Sequence, residues 1–154
     1  MPESRMDTRP RAAFEGATPI LPVRHLETSV DFYVNMLGFS VDFVGPGRFA
    51  SLSRDRCHLF LCEGDQGHLG TWVWIGVDDV ETLLAEYRAA GREARHPPTN
   101  YPWAYEMQIE DPDGNVLRIG SERRPDRPDG ASWRDMRGTR WERSPTGEWR
   151  PAGD

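Results

Sequence analysis

Apolar and polar positions alternate with two different periods along this chain, and the order of the periods repeats. A short apolar run at 17–23 reads as a strand. From His25 to Leu37 the apolar positions Leu26, Val30, Tyr33 and Leu37 recur at helical spacing. Phe32 and Met36 widen that stripe, and Gly38 ends it. Ser40–Val44, Arg48–Ser53 and His58–Cys62 are strand-like, with turns at Gly45-Pro46-Gly47 and Arg54-Asp55-Arg56 between them. The second half runs in the same order. A strand at Thr71–Val77 is followed by a helix at Val80–Ala90, with Asp79 as its N-cap and Gly91 as its stop. Glu93–His96, Ala104–Ile109 and Asn115–Gly120 are again strand-like, and Asp111-Pro112-Asp113-Gly114 is a hairpin turn.

The two halves share residues as well as order. Val23–Tyr33 aligns without a gap on Val77–Tyr87, 54 positions on, with Val, Glu, Thr and Tyr identical at matching places. This is the mark of an internal duplication of a βαβββ unit. Two such units, each with a curved sheet, predict an α+β fold in which mixed sheets form a cup. Periodicity fades near Arg123, so the sequence divides into an N-terminal arm at 1–14, a domain at 15–123 and an Arg-, Trp- and Pro-rich tail at 124–154.

LPVRHLETSVDFYVNMLGF at the start of the first unit and EDPDGNVLRI at the end of the second resemble the glyoxalase/bleomycin-resistance/extradiol-dioxygenase (vicinal oxygen chelate) superfamily, over about residues 17–122. Within it, FYVNMLGFSVDFV, TWVWIGVDDVETLLAEY and YPWAYEMQIEDPDGNVLRI, with a Pro102-Trp103 pair, look most like the bleomycin-resistance proteins. That resemblance implies a non-catalytic C2 homodimer. It would sequester a cationic glycopeptide antibiotic in two clefts at the interface and so confer resistance. Two alternatives stand beside it: a metal-dependent lyase, isomerase, transferase or dioxygenase of the same superfamily, and a binding domain for an unrelated small molecule.

The superfamily's enzymes hold a divalent ion with His, Gln and Glu side chains. By resemblance, their ligand positions fall here on Thr18, Trp72 and Arg118, and near Leu59 or Leu61. A permanently charged guanidinium opposes a bound dication. His25, His58, His68 and His96 form no HxH or HxxxH pair. Neither metal nor cofactor is therefore expected.

The resemblance also supplies the candidate ligand-binding residues. Phe49 and Trp103 match aromatic positions that flank the drug, and Trp72 falls inside the cup, on the cleft wall. Trp74 alternates with Trp72 and so shares its face, although on its own it reads as core. Asp42 and Glu106 are candidates for a charge contact, or else solvated strand residues. Cys62 and Arg118 complete the lining set, while Cys57 and Cys62 also read as packing residues. The turn at Gly45-Pro46-Gly47-Arg48 brings an extra Arg beside Phe49, a feature expected either to narrow the ligand range or to change the ligand altogether. Pro19 is either an edge-strand proline or the hinge of an exchanged arm.

Composition changes this picture little. At 154 residues the chain suits one domain. All 19 basic residues are Arg, set against 25 acids for a net −6, and residues 15–123 alone hold nine Arg and 17 acids, net −8. An acidic body argues against nucleic acid as partner and favours cationic ligands. No apolar run reaches the roughly 18–20 residues of a membrane span. No signal-like apolar stretch opens the chain, and two Cys make no disulfide framework, so a cytoplasmic location is expected. Three of the six Trp, at 133, 141 and 149, recur every eight residues in the tail, each beside an Arg. Thr139–Arg143 and Glu148–Pro151 read as a hairpin, the alternative being a flexible tail.

Overall fold

The computed structural model describes residues 10–101, 103–127, 132–134, 137–146 and 148–153. It contains the two expected units. The first runs β1 (Ile20–Val23), α1 (Leu26–Leu37), β2 (Ser40–Gly45), β3 (Phe49–Arg54) and β4 (Cys57–Glu63). The second runs β5 (Trp72–Gly76), α2 (Val80–Ala89), β6 (His96–Asn100), β7 (Tyr105–Glu110) and β8 (Val116–Ser121). The sheets have equivalent orders, β1-β4-β3-β2 and β5-β8-β7-β6. In each, the first strand lies parallel to the last and the other pairs are antiparallel.

Because strand side chains alternate, each sheet buries one face and leaves the other open. Leu21, Ala50, Leu52, Leu59 and Leu61 from the first sheet join Met107, Ile109, Leu117 and Ile119 from the second in one core, with Phe32, Tyr33, Leu37, Val80, Leu84 and Tyr87 from the helices. The helices meet where Phe32 stands edge-on to Tyr33 at 5.4 Å and to Tyr87 at 6.3 Å. The alternate residues, Phe49, Ser51, Phe60 and Cys62 on one sheet and Trp72, Trp74, Glu106 and Arg118 on the other, face away from that core.

Local chemistry fixes the helix ends. Asp79 accepts the Thr82 backbone N–H at 3.1 Å as the α2 cap, and this bond lowers the Asp79 pKa. His25 gives α1 no side-chain cap. Instead the Leu26 N–H donates to Glu63 Oε2 at 2.8 Å, and Arg48 bridges Glu63 and Glu27. Gly38 closes α1 at φ 69°, a conformation that favours glycine.

The Asp111–Asn115 turn, which closes the second unit, is bonded to the opening of the first. Asp111 accepts the Tyr33 hydroxyl at 2.9 Å and the backbone N–H groups of Asp113 and Asn115. Asp113 accepts the Ser29 hydroxyl and the Arg24 backbone N–H, both at 2.8 Å. Asn115 donates to the Pro22 carbonyl at 2.9 Å and accepts the Thr71 N–H at 3.0 Å. Tyr33 and Asn115 are fully buried and Asp111 nearly so. Burial pushes the Asp111 carboxyl above its usual range and the Tyr33 phenol well above its own.

Three segments differ from expectation. β6 lies at His96–Asn100 rather than at Glu93–His96. It is an outer strand whose register slips between His96 and Thr99, which accommodates Pro97 and Pro98. β1 starts at Ile20, because Pro19 has no N–H to donate, although its carbonyl still accepts the Phe60 N–H at 3.0 Å. Beyond Arg127, β9 (Ser132–Arg134), β10 (Arg140–Arg143) and β11 (Trp149–Pro151) form a three-stranded antiparallel sheet, in which the expected hairpin is the β10–β11 pair. Residues 1–9 of the arm, Pro102 of the Pro-Trp pair and the turn glycine Gly147 lie outside the described residues. Among the described residues no helix is long and apolar enough to cross a membrane.

Candidate functional site

The open face of the second sheet is organised around one buried carboxylate. Glu106 on β7 is 3% exposed. Its Oε1 accepts the indole N–H of Trp74 at 2.9 Å and that of Trp103 at 2.7 Å. Arg118, diagonally across on β8, closes the arrangement with charge-assisted bonds of 2.9–3.1 Å to both carboxylate oxygens. Glu106 is thus not a solvated strand residue, and its charge is matched inside the protein.

Trp74 is not core either, being 51% exposed. Its indole lies over two glycines. A Cβ on Gly120 would stand 2.6 Å from Trp74 Cζ2, and one on Gly76 would stand 3.1 Å from Cζ3. Those missing side chains let the ring lie across the sheet with its N–H aimed at Glu106. Trp103 is 52% exposed and stacks on Tyr101 with centroids 4.9 Å apart and planes 1° from parallel. Two half-exposed indoles are therefore held in fixed orientations by one carboxylate.

Trp72 shares this sheet face and is partly buried. The Arg95 guanidinium sits 5.6 Å from the centre of its ring, and Arg95 itself bonds Gln108 and Glu110. The buried Trp72 N–H meets no acceptor among the described residues.

The other candidates lie on the first sheet. Phe49 stacks on Phe43 at 6.3 Å and packs against Phe60 at 5.0 Å. Asp42, beside them, accepts the Ser53 hydroxyl at 2.7 Å and the Ser51 hydroxyl at 3.4 Å. Cys62 is buried beneath this cluster, with Sγ 3.9 Å from Asp65, and behaves as the packing residue it resembles. Arg48 does not reach over Phe49, because it is held by Glu27 and Glu63 at the start of α1. The structure therefore brings Trp74, Trp103, Glu106 and Arg118 together, and separately Phe49 and Asp42. It leaves the two groups on different sheets of one chain.

The residues do not fit a divalent ion. Leu59 and Leu61 point into the core, and Glu106, the one buried carboxylate on the open face of the second sheet, is saturated by Arg118 and two indoles. Among the described residues no three His, Cys, Asp or Glu side chains converge as ligands.

A cleft of about 790 Å³ separates the two units on the core side. Leu37, Phe39 and Leu59 line it on one wall, and Val73, Ile75, Leu117 and Ile119 on the other. The polar groups at its rim already have structural roles, since Arg54 pairs with Glu86 and Asp79 caps α2. Of the candidate residues only Trp74 borders it.

One residue of the aromatic face, Tyr101, escapes sequence reasoning, whereas Trp149 belongs to the hairpin expected in the tail. Tyr101 supports Trp103, and Trp149 of β11 lies 6.0 Å from Tyr101. The alternation in Arg140-Trp141-Glu142-Arg143 and Glu148-Trp149-Arg150 was the available signal for β10 and β11.

Comparison with known proteins places this geometry. The family model described as the glyoxalase/bleomycin resistance protein/dioxygenase superfamily matches residues 16–119. A bleomycin-binding protein from the bleomycin producer Streptomyces verticillus, crystallised with copper(II)-bleomycin, is 27% identical. The match covers 72% of this chain and 98% of that one, with a TM-score of 0.62. TnmS3, an antibiotic-binding protein from Streptomyces sp. CB03234, is 25% identical over 73% of this chain and 99% of its own, with a TM-score of 0.63. An integron cassette protein from the mobile metagenome of the Halifax Harbour sewage outfall shares the fold at 23% identity and a TM-score of 0.62, over 70% of this chain and 99% of its own. No curated protein matches the sequence significantly.

Proposed function

Because the chain belongs to the glyoxalase/bleomycin resistance protein/dioxygenase superfamily, we propose that it is a non-catalytic binding protein that sequesters a small-molecule antibiotic of the bleomycin type. The observation that carries this function is the pair of half-exposed indoles, Trp74 and Trp103, locked by Glu106 on a face where the superfamily's enzymes would need metal ligands. Such surfaces bind flat conjugated rings by stacking.

The full site is a product of dimerisation. Phe43 and Phe49 on the first sheet and Trp74 and Trp103 on the second are open apolar surfaces that one chain does not bring together. A C2 homodimer that sets the first sheet of one protomer against the second sheet of its partner completes two equivalent clefts. Each cleft then combines the indole pair with Asp42, which is left to meet the cationic end of the drug. The acidic body steers that cation inward, so added salt slows association. Dissociation changes little, because the charge on the indole face is already paired.

Titration of metal-free and copper-loaded bleomycin against tryptophan fluorescence, with sedimentation velocity in parallel, tests this function. The expected result is a dimer at micromolar concentration that binds one drug per chain with quenching. A stable monomer that no bleomycin quenches would overturn it, as would one tightly held divalent ion per chain in the purified protein.

A further inference from the structure

The superfamily match ends at residue 119, yet the chain goes on to build β9–β11. This added sheet is rooted at the outer strand of the second sheet, on the side that α2 covers. Asn100 at the end of β6 donates to the Arg124 and Arg127 carbonyls at 2.9 and 3.3 Å and accepts the Arg124 N–H at 3.2 Å. Arg127 grips Glu81 of α2 at 2.7 and 2.9 Å, and Tyr105 donates to the same carboxylate at 2.9 Å.

The added sheet is two-sided. Its register pairs Trp141 with Pro151 and Arg143 with Trp149, which puts those four on one face. Arg140, Glu142 and Arg150 lie on the other, exposed face, where Arg140 pairs with Glu142. From the first face, the Trp149 ring approaches Tyr101 at 6.0 Å with planes 55° apart. Tyr101 stacks on Trp103, and Trp103 donates to Glu106. An aromatic series therefore runs from the added sheet to the carboxylate that orients the binding face.

We propose that β9–β11 form a wall of the binding site and that Trp149 is a specificity-determining residue, selecting ligands with an extended planar ring system. The inference rests on the binding function proposed above. The surface it completes is aromatic on the Trp74, Trp103 and Trp149 sides, and its charges, the buried Glu106 and the half-buried Arg118, are mutually satisfied. Such a surface favours a large neutral π-face over a compact cation.

The test labels the full-length protein with 5-fluorotryptophan and assigns each ¹⁹F resonance through single Trp→Phe variants. Copper(II)-bleomycin and a neutral planar anthraquinone are then added separately. The proposal expects Trp74, Trp103 and Trp149 to shift together, and Trp149→Ala to weaken anthraquinone binding about three- to tenfold, with Trp149→Phe restoring most of it. If Trp74 and Trp103 shift while Trp149 stays still, or if Trp149→Ala binds as tightly as wild type, the wall is refuted and the binding function stands. If no resonance moves with either probe, both fall together.

Discussion

The Trp74 indole lies across Gly120 so closely that a Cβ there would stand 2.6 Å from its Cζ2. The two residues are on neighbouring parallel strands, and the absent side chain of one sets the orientation of the other. Gly120→Ala should therefore lift the indole off the sheet and break its bond to Glu106. The expected loss is about 1–3 kcal/mol of stability, with a red-shifted tryptophan emission and weakened ligand binding. A urea midpoint and an emission spectrum identical to wild type would show that the glycine is not needed.

Arg118 and Glu106 form a pair in which the carboxylate is buried and the guanidinium half-buried. Arg118→Met strands a buried charge and should cost about 3 kcal/mol or more, whereas Arg118→Met with Glu106→Gln should recover much of that loss. The double-mutant cycle, read from urea midpoints, should return a coupling well above the 0–1 kcal/mol typical of surface pairs.

Tyr33→Phe removes the hydroxyl that Asp111 accepts at 2.9 Å inside the core. The variant should lose about 1–3 kcal/mol because a buried acceptor is left short of a donor. In the wild type the Tyr33 phenol should stay protonated under alkaline conditions until the protein unfolds, since burial and then the Asp111 charge push its pKa well up. Urea midpoints of the two proteins check the first expectation, and absorbance at the tyrosinate band during an alkaline titration checks the second.

Glu81 should make the attachment of the added sheet sensitive to acid. The Arg127 guanidinium, followed by the Tyr105 hydroxyl, holds its carboxyl at about 2, against 4.5 for a free Glu. A depressed pKa stabilises the folded state fully above the free value, and that stabilisation is lost as pH falls through about 2. Asp111 has the opposite sign: burial raises its pKa, so its contribution is greatest at low pH and declines as pH rises. Acid should therefore loosen the Arg127 anchor before the Asp111 turn. Near-UV circular dichroism between pH 5 and 2 should show an early tryptophan change, and Glu81→Gln should show it already at pH 7.

Much of the fold was legible because it is written in local signals. The 54-residue repeat, the Gly38 stop, the Asp79 cap and the Asp-Pro-Asp-Gly turn each act within a few residues of themselves. β6 was misplaced because its prolines oppose a strand locally, and only its position at the sheet edge makes them tolerable. The site was legible in its residue types and not in its bonding. Glu106 alternates like a solvated strand residue, and the groups that bury it come from three, 12 and 32 positions away. Trp74 reads as core because Trp commonly is, and the glycine that lets it lie flat sits on another strand.

The bonds from Asp111, Asp113 and Asn115 to Tyr33, Ser29 and Pro22 span 78, 84 and 93 residues. During synthesis the first helix leaves the ribosome long before the turn that satisfies its buried hydroxyls exists. Until residue 115 has emerged, the first unit holds Tyr33 and Ser29 without their partners, and its half of the core lacks the strands of the second sheet. Contacts this distant in sequence close slowly. The nascent protein thus passes through an interval in which the open aromatic faces of the first sheet are present and the core behind them is not yet sealed, the state in which exposed apolar surface is most prone to aggregate.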